Sequence, residues 1–164
     1  IQYGARPEER LAGSSAAMRR SERKMDRTAI RTVSVSQLER QAATLWSELK
    51  PGSVVWLTGD LGTGKTTFVK ALVRAASGPE ARSPTFALIH EYDSPSGVIV
   101  HVDCYRLQDP GEALDLDFPD LLRAARLLLI EWPERAGSYA PPPNAHLHFE
   151  HGEAPDVRRL ERLA

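Results

Sequence analysis

The chain has 164 residues, 41% of them hydrophobic, with 21 basic and 22 acidic residues and a formal net charge of -1. That length suits one domain with a sizeable core, and the charge balance announces no broad basic face for autonomous nucleic-acid binding. Cys104 is the only cysteine, which excludes an intrachain disulfide and a cysteine-rich zinc site; no apolar run approaches the ~20 residues of a membrane helix, so a cytoplasmic protein without membrane contact is expected.

Residues 1–27 are polar, charged and rich in small side chains, with Met18 and Met25 inside them. They read as a disordered leader, a cloning remnant or a misplaced start, and 28–164 as a single domain. Residues 29–33 look like a short edge strand. Ser36 is expected to cap the next helix, with Glu39 three residues on completing a capping box. Leu38, Ala42, Leu45 and Leu49 space an apolar face through that helix, and Pro51-Gly52 ends it.

Residues 54–58 then read as a buried strand and 66–76 as a helix. Between them Gly59, Gly64, Lys65 and Thr66 fit the spacing Gly-x-x-x-x-Gly-Lys-[Ser/Thr], the P-loop pattern. Glycines let the backbone curl so that successive N–H groups face phosphate, the lysine reaches the β and γ oxygens, and the threonine hydroxyl serves magnesium. The helix N-terminus adds its partial positive charge. Four fixed positions match by chance in roughly one such chain in two hundred, and the flanking strand and helix make accident rarer still. Lys65 is expected to face solvent while the loop is empty.

Beyond the break at Ser77-Gly78-Pro79 comes Ser83-Pro84-Thr85-Phe86. A loop there could bring the Thr85 hydroxyl towards the γ-phosphate, although such a tripeptide is more often a strand-entry turn. Residues 86–92 and 98–103 have strand composition and are joined by turn residues, which predicts an antiparallel hairpin. Asp109-Pro110-Gly111 reads as a turn, 119–126 as a helix capped by Asp117, and 127–130 as a fully buried strand. Pro141-Pro142-Pro143 is a stiff spacer. Residues 146–150 and 157–163 suit a closing hairpin, with a helix as the alternative for the second half.

Asp103 and Glu131 each end an apolar strand, where open α/β sheets place ligand chemistry. P-loop enzymes need one acid for magnesium and commonly another group to orient water; the alternative is that either acid caps a turn or pairs with Arg106 or Arg135. The five histidines, His90, His101, His146, His148 and His151, read as surface residues rather than metal ligands. Trp56 reads as core, and Trp132 as packing beneath the site or helping to dock a partner.

The run Gly59-Asp60-Leu61-Gly62-Thr63-Gly64-Lys65-Thr66-Thr67, followed by Ser83-Pro84-Thr85-Phe86, Asp103-Cys104-Tyr105-Arg106-Leu107 and Glu131-Trp132-Pro133, resembles the TsaE family, ATPases of bacterial tRNA threonylcarbamoyladenosine biosynthesis. The likeness covers about residues 35–149. It implies a three-layer P-loop NTPase-like α/β fold, a mixed sheet with helices on both faces. It also implies ATP/ADP and Mg2+ as cofactors, and a threonylcarbamoyl-transferase complex as protein partner, with tRNA reached only through that complex. By position it makes Thr66 and Glu131 the magnesium-site residues, Asp103, with Lys65, the residue of hydrolysis, and the segment Ser83-Pro84-Thr85 a switch-like loop. Trp132 matches the family's tryptophan beside the acid and is counted, with Thr85 and the whole run from Gly59 to Thr67, among the nucleotide-contacting residues. Thr63 stands where alanine is common in the family and Cys104 where leucine is usual.

Two other classes fit a P-loop of this length. A small-molecule kinase needs an arginine-bearing lid, and no clear lid lies between Gly111 and Arg126; a nucleotide-gated adaptor with little turnover fits poorly with two acids. Guanine specificity through Asn-Lys-x-Asp is excluded, because the only asparagine, Asn144, precedes Ala145.

Overall fold

The computed structural model of the protein describes residues 31–76 and 88–164. The expected leader, the start of the first strand and the segment Ser83-Pro84-Thr85-Phe86 lie outside those residues. Seven strands form one sheet in the order β1-β7-β6-β2-β5-β4-β3: β1 (Arg31–Ser34), β2 (Ser53–Gly59), β3 (Ile89–Tyr92), β4 (Ile99–Asp103), β5 (Leu127–Glu131), β6 (Ala145–His151) and β7 (Val157–Arg162). The four central strands, β6, β2, β5 and β4, run parallel. Antiparallel pairs close both margins, β3 on β4 at one side and β7 with β1 beyond β6 at the other. The second half of the closing hairpin is therefore a strand rather than a helix.

Alternation along the central strands divides the core in two. Val55, Leu57, Leu127 and Leu129 face α1 (Val35–Glu48) and α2 (Lys65–Ala75), whereas Val54, Val100, Leu128 and Ile130 face the other side. There they meet a 3-10 turn at Pro110–Leu116, α3 (Phe118–Ala124) and α4 (Pro133–Ala136), which contribute Ala113, Leu116, Phe118 and Ala136. Central parallel strands covered on both faces require such continuous apolar runs. The result is the expected mixed sheet between helical layers. Among the described residues no helix is long and apolar enough to cross a membrane.

Three local expectations are corrected. The cap of α1 is Ser34, whose side chain accepts from the Gln37 N–H at 3.3 Å while the Gln37 side chain accepts from the Ser34 N–H at 2.7 Å. A cap at Ser36 would extend the strand past Ser34↔Val157, the last β1–β7 pair. Asp109-Pro110-Gly111 opens the 3-10 turn rather than making a simple reversal, because Asp109 and Glu112 form a second capping box. Helix α3 stops at Ala124, two residues early, since Arg126 is already drawn into the sheet, its N–H donating to Val98 O at 2.8 Å. Asp117 does cap α3, its carboxylate accepting from the Asp120 N–H.

His146 and His148 are not simple surface residues. On β6 they flank the Thr58 hydroxyl, at 2.9 Å from His146 Nε2 and 3.0 Å from His148 Nδ1, and the His146 ring meets Trp56 edge-on at 5.6 Å between centroids. Burial, and next the neighbouring His148, push the His146 pKa below its ordinary 6.5. A folded value below the unfolded one means that the unfolded chain takes up the proton first, so the contribution of neutral His146 is present above the unfolded value and lost as pH falls through the folded one. Chemical denaturation between about pH 7 and about pH 5 should show stability falling with acid, and less steeply in His146→Gln, which keeps a hydrogen-bonding side chain without the titration. An unchanged slope in that variant would contradict this account.

Candidate nucleotide-binding site

Strand β2 delivers the chain into its turn at Gly59, with φ of 127°, and the loop continues through Gly62 at 71° and Gly64 at 106°. All three lie in the left-handed region that side chains disfavour. At Gly59 space forbids one as well: Gly59 pairs with Phe149 on β6, and a Cβ would collide with the Phe149 carbonyl. Gly64 is the N-cap of the eleven-residue α2 and supplies no side-chain cap. The first-turn N–H groups thus keep their donors for an anion, and the helix axis points its positive end at the same place.

Lys65 does not face solvent. It is only 4% exposed, and Nζ folds back to donate to Gly59 O at 2.5 Å and Asp60 O at 2.7 Å. The Trp132 ring centroid lies 4.5 Å from the same nitrogen. Burial lowers the ammonium pKa, opposed first by the charge of Glu131 and then by that of Asp103. The loop's own carbonyls, six and five residues back along the chain, satisfy the buried charge, which the sequence spacing alone did not suggest.

Parallel pairing in register places Asp103 opposite Glu131 and Glu131 opposite Leu57, so both acids emerge at the strand ends beside the loop. Glu131 is 3% exposed. Its Oε1 accepts from Thr66 Oγ1 at 3.1 Å and contacts His101 Nε2 at 3.0 Å. Asp103 Oδ1 accepts from the Tyr105 N–H at 3.0 Å. His101, expected at the surface, is 1% exposed; its flanking valines were the available clue. Among the described residues no cluster of three His, Cys, Asp or Glu side chains forms a cage for a metal. Magnesium does not need one, because it takes one or two carboxylate or hydroxyl oxygens together with phosphate and water. The hard oxygen donors of Thr66 and Glu131, already in contact, fit that pattern.

An open cleft of about 230 Å³ joins these parts. Leu61, Gly62, Gly64, Lys65, Thr66 and Thr67 line one wall, and Asp103, Glu131 and Trp132 the other. Gly59 and Asp60 lie beneath, holding Lys65. Thr63 is buried, its hydroxyl donating to Asp60 O at 2.7 Å, so a threonine here braces the loop from within. Thr85 lies outside the described residues. Trp132 has φ of 55°, a conformation costing a side-chain-bearing residue about 1–3 kcal/mol, and its ring also packs on Tyr105 at 5.1 Å.

Sequence reasoning passed over two lining residues. Tyr105 stands within a quoted motif but was given no role. Arg158 enters from β7, far along the chain, with Nη1 donating to Pro155 O and Val157 O at 2.7 and 2.9 Å; no local signal marked it. Arg135, one of the two arginines weighed as partners for the acids, lies 5.7 Å from the Tyr105 ring and 6.0 Å from the Trp132 ring. The Cys104 thiol, pushed up to about 12 by burial and then by Asp103, is a packing group.

The family model for the threonylcarbamoyl adenosine biosynthesis protein TsaE matches residues 32–160. The tRNA threonylcarbamoyladenosine biosynthesis protein TsaE of Rickettsia felis is 36% identical over 116 residues, 70% of this chain and 67% of the relative. That of Aquifex aeolicus is 43% identical over 90 residues, covering 53% and 62% of the two chains. In three dimensions the chain is similar to the crystal structure of YdiB from Bacillus subtilis, with a TM-score of 0.64 at 22% identity over 82% of this chain and 86% of the other, a likeness of fold. With the family match running from the first strand to the last, the chain belongs to the TsaE family.

Proposed function

We propose that residues 28–164 act as one cytoplasmic ATPase domain that binds and hydrolyses ATP with magnesium in support of a threonylcarbamoyl-transferase complex modifying tRNA. The observation that carries the reading is the contact of Thr66 with Glu131 beside a glycine-built anion cradle. Family membership supports the tRNA pathway. Against the kinase alternative, Ala113, Leu116 and Phe118 of the 110–124 segment are buried in the second core and are not free to act as a lid.

Backbone N–H groups from Gly62 to Thr66 hold the phosphates, and Lys65 exchanges its carbonyls for the β and γ oxygens. Magnesium, when bound at Thr66 and Glu131, neutralises phosphate charge. Asp103 orients the attacking water; a loose, metaphosphate-like transition state asks little of a base. Trp132 closes over Lys65 and excludes solvent from it, and the family resemblance makes the segment Ser83-Pro84-Thr85 the part that would respond to nucleotide.

Lys65→Ala should abolish ATP binding in calorimetric titration. Because Lys65 is buried and bonded, the variant should also melt earlier, by the equivalent of about 1.5–3 kcal/mol for lost charged hydrogen bonds. Wild-type affinity in this variant would sink the P-loop assignment.

The two acids should separate. Asp103→Asn is expected to bind ATP normally and to lose hydrolysis, whereas Glu131→Gln should in addition weaken the dependence of binding on magnesium. If both release phosphate at the wild-type rate, the strand ends are structural.

Partner dependence follows from the absence of a recognisable arginine finger motif. The isolated chain should turn over slowly, and a finger supplied by a partner raises such rates by about 10³ to 10⁵. Phosphate release measured with and without the threonylcarbamoyl-transferase complex, and binding to it in ATP analogue and in ADP, test this. Fast turnover alone, unstimulated and with nucleotide-independent binding, contradicts it.

A further inference from the structure

We infer that His101 is a positioning residue for Glu131, fixing the carboxylate in the orientation that serves the metal; this deepens the ATPase reading above and rests on it. His101 lies in the middle of β4, paired with Leu129 of β5, and strand alternation puts it on the same sheet face as Asp103. Its Nε2 donates to Glu131 Oε1 at 3.0 Å, with the two side chains 2% and 4% exposed. The same oxygen accepts from Thr66 Oγ1 at 3.1 Å. One oxygen is thereby held from two directions, by the sheet and by the P-loop helix, while Oε2 has no partner among the described residues.

The energetics argue that this contact is more than core packing. His101 Nδ1 is buried without a hydrogen-bond partner, which costs stability. Val100 and Val102 on either side are fully buried aliphatics, and an aliphatic residue at 101 would avoid the cost. What it would forfeit is the orientation of Glu131. Residues that hold a metal-binding side chain in place from outside the coordination shell affect metal affinity strongly, by about 10–100-fold.

The test compares wild type, His101→Leu and His101→Gln, with Mn2+ followed by electron paramagnetic resonance in the presence of ATP, and ATP alone titrated by calorimetry. His101→Leu should bind Mn2+ about 10–100-fold more weakly while its metal-free ATP affinity stays within about twofold, and His101→Gln, whose amide N–H reaches the place of Nε2, should recover most of the loss. Undiminished Mn2+ binding in folded His101→Leu, or equal loss of metal-free ATP binding, overturns the inference. Should the leucine variant fail to fold, 15N NMR of wild-type histidines decides. A proton on His101 Nε2 whose resonance moves with magnesium and ATP, but not with ATP alone, is expected; a bare Nε2 or no response overturns the inference. Wild-type protein that binds no ATP, with or without metal, overturns the ATPase reading itself, an outcome distinct from failure in the variants.

Discussion

A buried ammonium group organises the active end of this sheet. Lys65 is enclosed by its own loop, by Trp132 and by the field of two acids, and each enclosure answers a requirement of that charge. Removal from water disfavours the protonated form; backbone carbonyls and nearby carboxylates restore it. The carbonyls come from Gly59 and Asp60 only because Gly59 can turn where a Cβ would strike Phe149. The carboxylates come from β4 and β5 only because those strands run parallel to β2 and end level with it. Fold and site share one geometric condition.

That condition explains the two kinds of pairing in the sheet. The parallel centre sends its four strands to one edge, with crossovers packed on the faces, as ligand-binding α/β sheets require. The antiparallel margins then cover what the centre would leave exposed: β6 is flanked by β7, and β4 by β3. Phe149, on the strand that abuts Gly59, packs edge-to-face on Phe68 of α2 at 5.6 Å, so the helix that begins at the phosphate cradle is anchored from beneath.

Much of this was legible because it is local. The P-loop spacing, the strand runs ending in Asp103 and Glu131, the 86–103 hairpin and the cap at Asp117 each depend on a few neighbouring residues, and each has its counterpart in the fold. What escaped depends on partners distant in sequence. The choice of Ser34 over Ser36 as cap is made by the register of β1 against β7. His101 looks like any strand histidine until β5 is laid beside it, and Arg158 gains its place only when the last hairpin closes. The inward turn of Lys65 depends on the Gly59 and Asp60 carbonyls pointing back at it, which the motif's spacing does not state.

The same inward turn sets how ligand and stability are coupled. On the proposed reading, Lys65 would release Gly59 O and Asp60 O to phosphate, so those carbonyls would lose a charged donor while the lysine gained anionic oxygens. The carbonyls are neutral and phosphate oxygens anionic, so on this reading the exchange itself favours binding by pairing the ammonium with opposite charge. Further gain would come from the N–H groups of the cradle, left without a side-chain cap at Gly64, and from the Glu131 oxygen that has no partner among the described residues. These are the groups that the fold leaves least satisfied. The donors and the acceptor that face the cleft are braced from behind by Thr63 and His101, while Trp132 stands in the cleft wall over Lys65.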